Sequence, residues 1–479
     1  MLLSRLLEST GYKGKFKDRE ISFITDNSEN VTSSSLFVCI KGARGDGHQY
    51  GRKAAEKGAA VVCEHSIGAK DEIIVKDTRR AYADFCGAFF SNPAKRMKLI
   101  GITGTNGKTT TAFLLKDIFE KNGYKCGLVG TVQDMAGDTV FHSERTTPDS
   151  FELNCLFSKM TERGCEYCIM EVSSQALSQG RVDGLTFDCA VFTNLTKDHL
   201  DYHKTFENYS AAKKKLFSMC RTGIINIDDE KGLYMTSGES CQSVTYSLLS
   251  DTADYTAKNI VQSPGSTEYE IIHKNKRIKV HLRIPGVFSV YNSLAAIVCA
   301  CQEGIPIEKA AEALKDSKGV KGRAEVVPTN RNFTVIIDYA HTPDGLENIL
   351  KTLRAFAKGR IITVFGCGGD RDKSKRPVMG EIASELSDYL IVTSDNPRSE
   401  NPQEIIKDIL KGCKNAEITV ETVENRRKAI ERALAIGEKD DIILLAGKGH
   451  ETYQILGDKK IHFDEREIVS EYLNREVIE

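Results

Sequence analysis

The chain has 479 residues, enough for about three domains at ~150 residues each. Apolar residues make up 40% and charged residues 28%, which excludes a disordered or fibrous chain. With 66 basic and 67 acidic residues the net charge is −1, so neither a nucleic-acid coat nor a polybasic membrane surface is expected.

The opening MLLSRLLEST is interrupted by Arg5 and Glu8 and lacks the apolar core and cleavage site of a signal peptide. No run approaches the ~18 apolar residues of a membrane span. A cytoplasmic protein, a monomer by default, is expected. The 14 cysteines are spread singly from Cys39 to Cys413, many inside apolar runs, as buried free thiols in a reducing compartment would be. Cys165 and Cys168 have CxxC spacing, but no second pair accompanies them.

Residues 1–95 read as a small α/β unit, with strands at 35–42, 59–64 and 72–77 and helices at 49–57 and 78–90. Ser91-Asn92-Pro93 then breaks the pattern. From residue 96 strands alternate with helices, which predicts a parallel sheet. A strand at 98–102 enters a glycine-rich turn, and a helix at 109–122 is stopped by Gly123. Strands follow at 167–172, 189–193 and 223–227, then a polar hairpin-like region at 245–284 and a helix at 289–303. Near Gly322-Arg323 a second alternation begins, with strands at 334–338, 360–365, 389–393 and 441–446. The expected fold class is α/β in three domains. They are a small N-terminal α/β domain (1–95), a central P-loop ATPase-like domain with a parallel or mixed sheet (96–325), and a C-terminal Rossmann-like α/β domain (326–479).

The turn after the strand at 98–102 reads TGTNGKTTT, residues 103–111. Gly104 and Gly107 let the backbone of Thr105 and Asn106 turn its N–H groups toward phosphate at a helix N-terminus. Lys108 would reach the β- and γ-phosphates and the Thr109 hydroxyl would ligate Mg²⁺, with Thr110 following. Ile102 occupies the first glycine position of the common phosphate-loop spacing. Glu171 ends an apolar strand, where it could bind the metal of a nucleotide or simply be an N-cap or a surface acid. Asp198, His199, Asp201 and His203 form a dense polar group. On composition alone a metal site and a plain polar loop are equally open there, since Mg²⁺ prefers oxygen.

In the last domain DYAH (338–341), GCGGDRD (366–372), DNPR (395–398) and GKGHE (447–451) all follow strand ends. Open α/β sheets bind ligands beyond those ends. Arg371 and Arg398 suit carboxylates and Glu451 could take an ammonium, a set that fits an amino acid better than a nucleic acid.

Together with NLTKDHLDYH, YSAAKKKLF, Tyr291-Asn292 and Gly322-Arg323, these segments resemble the Mur ligase family, the ATP-dependent amide-forming enzymes of peptidoglycan synthesis. The resemblance covers nearly the whole chain in order, and GCGGDRDKSKRP, DNPR and GKGHE place it in the branch that adds the third peptide residue. It implies ATP and two Mg²⁺, held by Thr109, Glu171, His199 and a carbamate on Lys213, and nucleotide contacts from Gly104 to Thr110 and at Asn292, Arg323 and Asp338. It places His341 beside the phosphates and, with Lys108, Lys213 and Arg323, in the catalytic set; Lys214 and Lys215 read as solvated.

The same resemblance implies UDP-N-acetylmuramoyl-dipeptide at Ser28, Thr146, Thr147, Ser173, Gln179 and Arg181, and meso-diaminopimelate at Arg371, Asp395, Asn396, Pro397, Arg398, Gly447 and Glu451. Arg398 discriminates, because diaminopimelate ends in a second carboxylate and L-lysine in an ammonium. The chain departs from the family at Asn27 and Glu29, where Asp and Arg are common, and at Ser34, Gln175 and Lys204, where Gly, His and Gly are common. Neither nucleic acid nor membrane is implied as a partner. The other readings are an L-lysine-adding or folylpolyglutamate-type relative and, in a different class, a P-loop ATPase acting as a switch or regulatory protein.

Overall fold

The computed structural model describes residues 1–14, 16–42, 45–263, 265–317, 319–414 and 417–475. The chain divides into two compact units, Met1–Tyr246 with Val298–Ile305, and Ser247–Ile297 with Pro306–Glu479.

The first unit begins with α1 (Leu3–Thr10), whose Leu3, Leu6 and Leu7 fall on one buried face at helical spacing. Then come β1 (Phe23–Thr25), β2 (Ser35–Val38), α2 (His48–Glu56), β3 (Ala60–Cys63), β4 (Glu72–Ile74) and α3 (Thr78–Phe89). The four strands pair in parallel in chain order. Tyr82 and Phe85 of α3 share a core with Leu3 and Leu6. After α3 the backbone at Ser91 and Asn92 takes φ 61° and 50°, so the expected break is a left-handed turn.

The unit continues with β5 (Lys98–Thr103), α4 (Lys108–Lys121), β6 (Cys126–Val129), β7 (Asp134–Ala136), β8 (Thr139–Phe141), α5 (Ser150–Glu162) and β9 (Tyr167–Glu171). It ends with α6 (Ser174–Ser178), β10 (Phe187–Phe192), α7 (Leu200–His203), α8 (Phe206–Lys214), β11 (Cys220–Asn226), α9 (Gly232–Thr236) and β12 (Gln242–Ser247). The strand order is β12-β11-β10-β5-β9-β6-β7-β8, parallel except for the β6-β7-β8 meander. β5 lies between β9 and β10, so the loop after it opens at the topological switch of the sheet, where α/β proteins bind ligands.

The second unit opens with an antiparallel meander, β13 (Tyr255–Ser263), β14 (Ser266–His273) and β15 (Lys276–Leu282). The polar stretch at 245–284 is therefore three strands rather than one hairpin, because Lys274, at φ 51°, adds a second turn. The helices α10 (Val287–Gln302) and α11 (Ile307–Leu314) follow.

Next come β16 (Glu325–Val327), β17 (Thr334–Asp338), α12 (Pro343–Arg354), β18 (Ile361–Phe365), α13 (Lys375–Leu386), β19 (Tyr389–Val392), α14 (Pro402–Leu410), β20 (Thr419–Thr422), α15 (Arg426–Ile436) and β21 (Ile442–Ala446). A hairpin of β22 (Tyr453–Leu456) and β23 (Lys459–His462) precedes α16 (Glu465–Arg475). The order β16-β17-β21-β18-β19-β20 is parallel apart from β16.

One face of this sheet packs on α12, α13 and α14 through Leu346, Met379 and Ile405, and the other on α15 and α16 through Ile430 and Val469. Covered on both sides, β21 is a continuous buried run, Ile-Ile-Leu-Leu-Ala. At its end Arg426 and Glu465, both fully buried, pair at 2.8 Å, and Arg426 also donates to the Ala446 carbonyl at 2.8 Å.

Candidate active site

In the first unit the loop between β5 and α4 is sewn to the segment after β10. Thr105 N–H donates to the Asn194 carbonyl at 2.8 Å, and Asn106 N–H to the Asn194 side chain at 2.9 Å. The Thr193 hydroxyl donates to the Asn106 carbonyl at 2.6 Å. Only glycine fits at 104: its φ is 149°, and an added Cβ would lie 1.9 Å from Thr193 Oγ1. Lys108 Nζ curls over this loop, donating to the Gly104 and Thr105 carbonyls at 2.9 and 2.8 Å.

Glu171, 1% exposed at the end of β9, collects hydroxyl and amide donors. Thr109 Oγ1 donates to its Oε2 at 2.9 Å, Thr131 Oγ1 to the same oxygen at 3.1 Å, and Thr131 N–H to Oε1 at 2.9 Å. Thr131 in turn meets Thr146 at 3.0 Å. Thr147 donates to the Glu171 carbonyl at 2.8 Å and to Ser173 Oγ at 3.3 Å. Arg181 reaches the Thr147 carbonyl at 2.7 Å and forks onto Gln179 Oε1 at 3.0 and 2.7 Å. Thr109, Glu171, Thr146, Thr147, Ser173, Gln179 and Arg181 are therefore joined, through Thr131, in one largely buried hydrogen-bond network.

Ser28 sits in a short 3-10 turn, and its carbonyl accepts from Lys57 Nζ at 3.5 Å. There the Asn27 side chain caps the turn by accepting from Glu29 N–H at 3.0 Å.

Lys213 of α8 is 1% exposed, and its Nζ donates to the Gly104 carbonyl at 2.7 Å beside the Tyr209 ring. Burial, with Lys108 nearby, holds this amine well below the usual lysine range. His199 sits at φ 52°, its ring edge-on to Tyr209 at 6.2 Å, and Tyr209 Oη meets Thr105 Oγ1 at 3.1 Å. Lys215 is exposed as expected, whereas Lys214 is half-buried, with its ammonium over Tyr234. Lys204, where glycine is common, holds φ 69°. Among the described residues no three His, Cys, Asp or Glu side chains converge on one point. The hard oxygens of Thr109 and Glu171 fit Mg²⁺, which keeps waters and phosphate oxygens as its other ligands.

In the second unit Asp338, at the end of β17, accepts from Ala324 N–H at 2.7 Å and Ala340 N–H at 2.8 Å, and burial raises its pKa despite Arg323. The Arg323 guanidinium lies over the Tyr339 ring at 4.7 Å, and that ring also meets His341 and His450. Asn292 is buried on α10.

The strand ends of the second unit carry the other cluster. Arg398, at φ 52°, is pinned by the hairpin: its N–H donates to the Ile455 carbonyl and its carbonyl accepts from Gly457 N–H. Its Nη1 donates to the Gly369 carbonyl at 2.9 Å. Both Arg398 and Arg371 border Gly368, where an added Cβ would lie 2.9 Å from Arg398 Nη1 and 3.9 Å from Arg371 Cγ. Asp395 accepts from Asn396 N–H at 2.6 Å, and Asn396 donates to Glu451 Oε2 at 2.9 Å. Pro397 adjoins Gly369, whose added Cβ would strike the Pro397 carbonyl at 1.9 Å. Gly447, at φ 112°, faces Asp395.

Family models match three stretches of the chain. Residues 20–86 match "Mur ligase family, catalytic domain", 102–300 match "Mur ligase middle domain", and 322–449 match "Mur ligase, glutamate ligase domain". A Clostridium acetobutylicum protein named "UDP-N-acetylmuramoyl-L-alanyl-D-glutamate--2,6-diaminopimelate ligase 1" is 50% identical over 460 residues, 95% of each chain. The chain belongs to the Mur ligase family.

A second Mur ligase, from Clostridium botulinum and named as the diaminopimelate ligase, is 48% identical over 99% of each chain. A solved structure of a UDP-N-acetylmuramoyl-L-alanyl-D-glutamate--2,6-diaminopimelate ligase superposes with TM-score 0.73 at 30% identity, over 95% of each chain. The three-domain Mur ligase fold of mixed α/β sheets is the fold of this chain.

Sequence reasoning passed over two side chains of this Mur ligase's GKGHE turn. Lys448 is fully buried and pairs with Glu451 Oε2 at 3.0 Å, so Glu451 already holds an ammonium from its own chain. Burial and the cations around it lower the His450 pKa to about 4. The available signal was position: both lie directly after the most apolar strand of the second sheet.

Proposed function

We propose that this Mur ligase joins meso-diaminopimelate to UDP-N-acetylmuramoyl-L-alanyl-D-glutamate at the expense of ATP, releasing ADP and phosphate. The observation that carries the substrate choice is Arg398, held beside Arg371 and Gly368 while Glu451 stands across Asn396. Two guanidinium groups and a carboxylate match an amino acid with two carboxylates. The relatives at 50% and 48% identity carry this ligase's name.

In this reading residues 1–95 take the uridine diphosphate through Ser28, residues 96–325 take ATP and the peptide, and residues 326–479 take the incoming amino acid. Thr146, Thr147, Ser173, Gln179 and Arg181 hold the muramoyl-dipeptide, with the D-glutamate side-chain carboxyl toward the phosphate loop. A carboxylate is too poor an electrophile for an amine, so its oxygen first takes the γ-phosphoryl group of ATP, giving an acyl phosphate and ADP. Lys108 leaves its loop carbonyls for the β- and γ-phosphates and neutralises the charge in transit. Thr109 and Glu171 would hold Mg²⁺, with His199 as a further ligand, and the ion when bound would supply charge neutralisation for the phosphoryl group. Asn292, Arg323 and Asp338 contact the nucleotide and His341 lies beside its phosphates.

Lys213 is read as a carbamate. Its lowered pKa favours the neutral amine, the form that adds CO₂ with release of a proton, and the product would be an anion able to serve a second Mg²⁺. The free amine of diaminopimelate, oriented by Arg371, Arg398 and Glu451, attacks the acyl carbon. The tetrahedral adduct loses phosphate and a proton, and the amide remains. Positioning supplies much of the rate.

The test is ADP release by the purified enzyme with ATP, Mg²⁺ and UDP-muramoyl-dipeptide, comparing meso-diaminopimelate with L-lysine. Diaminopimelate alone should drive turnover and amide formation. Equal turnover with L-lysine, or ADP release without amide, overturns the reading.

A further inference from the structure

Lysine is almost never fully buried unless it is paired, because its ammonium loses its water. Lys448 is fully buried, and what pairs with it is the amino-acid pocket itself. Its Nζ donates to Glu451 Oε2 at 3.0 Å and to Asn396 Oδ1 at 3.2 Å. Asn396 closes the triangle by donating from Nδ2 to the same Glu451 oxygen at 2.9 Å. Asn396 Oδ1 also accepts from Ile455 N–H at 3.0 Å, so its amide has one orientation that satisfies every partner.

The local backbone is built to turn this lysine inward. Glu451 N–H donates to the Lys448 carbonyl at 3.0 Å, and Gly449 stands at φ 54°, where an added Cβ would lie 2.6 Å from Tyr339 Cβ. The stem of Lys448 ends beside the Tyr453 and Phe463 rings, 5.7 and 5.9 Å from the ammonium, which is an apolar lining rather than solvent. Two of the side chains assigned to the amino acid, Asn396 and Glu451, thus take their orientation from a third that has no exposed surface.

We propose that Lys448 is a positioning residue for amino-acid recognition, fixing the Asn396 amide and the Glu451 carboxylate so that Glu451 Oε1, outside the triangle, meets the substrate ammonium. The inference rests on the proposed diaminopimelate pocket and adds a residue that acts through others. It follows that Lys448 works on one substrate of three. It also follows that its effect vanishes once Glu451 has lost its charge.

The experiment compares the wild type, Lys448→Met, Glu451→Gln and Lys448→Met/Glu451→Gln by steady-state ADP release, with each of the three substrates varied in turn. For Lys448→Met the KM for diaminopimelate should rise at least tenfold, while the KM values for ATP and UDP-muramoyl-dipeptide stay within about twofold. If the single variant leaves a buried carboxylate that prevents folding, the double variant decides, since removing both charges of a buried pair is tolerated. Its kcat/KM for diaminopimelate should equal that of Glu451→Gln within about threefold. A Lys448→Met enzyme whose three KM values move together, or a double variant whose losses multiply, overturns the proposal. A wild type silent with diaminopimelate overturns the pocket assignment and this inference with it, whereas an active wild type with multiplying losses overturns the inference alone.

Discussion

Arg398→Ala is the substitution that bears most directly on substrate choice. One nitrogen, Nη1, is spent on the Gly369 carbonyl at 2.9 Å, which steers the rest of the fork and leaves Nε and Nη2 for a carboxylate. A hydrogen bond to a charged group contributes roughly 1.5–3 kcal/mol, so two at the lower end come to about 3 kcal/mol. At about 1.4 kcal/mol per decade that is close to a hundredfold in kcat/KM for diaminopimelate. L-lysine has no distal carboxylate, so whatever residual rate it supports should be unchanged, and the selectivity ratio should fall by the whole factor. The assay is ADP release with the amino acid varied at saturating ATP and UDP-muramoyl-dipeptide, with a check that the KM for ATP is unmoved. A fall of less than threefold with diaminopimelate, or a parallel fall with L-lysine, would show that the fork does not hold the distal carboxylate.

Lys213→Ala should lower activity at least about tenfold, and formate or acetate should restore part of it by supplying the missing anion; full activity in the variant sinks the carbamate role. Asp134 is buried on β7 with a pKa raised to about 7 by desolvation, so the folded form binds a proton that the unfolded chain has already released near neutrality. Its contribution to stability therefore falls as pH rises from about 4 through about 7. Asp134→Asn keeps the acceptor for Gly130 N–H and should gain about 2 kcal/mol over wild type at pH 8 and far less at pH 5, after allowance for screening; denaturant unfolding at the two pH values measures it, and an equal gain at both refutes the linkage. Lys204→Gly should stabilise by about 1 kcal/mol, because Lys204 sits at φ 69°; a lower melting temperature would show that its side chain matters more than its backbone.

Much of the site was legible because its chemistry demands particular residue types. The phosphate-loop reading needs glycine at 104 and a lysine four residues on, and both are visible without coordinates. The sheets were equally visible wherever a strand is buried on both faces, as in β21. What escaped was short or paired at a distance. β1 has three residues, too few to show a period, and the hairpin of β22 and β23 looks like loop until Arg398 is seen on its edge. Lys448 escaped for a different reason. A lysine between glycines reads as solvated, and only the fold brings Asn396, 52 residues away, to its ammonium. Lys204 shows the reverse case, where a departure from the family's glycine marks a left-handed backbone that the sequence keeps at a cost.

The Arg426–Glu465 pair has a consequence for how the chain is made. Arg426 emerges from the ribosome 39 residues ahead of its partner, and in between come β21, the GKGHE turn and the hairpin. Until Glu465 arrives, the strand end that carries the turn borders an arginine with no counter-charge, which the low-dielectric interior does not tolerate. The strand end that carries the turn is therefore completed only by a helix that follows it in the chain.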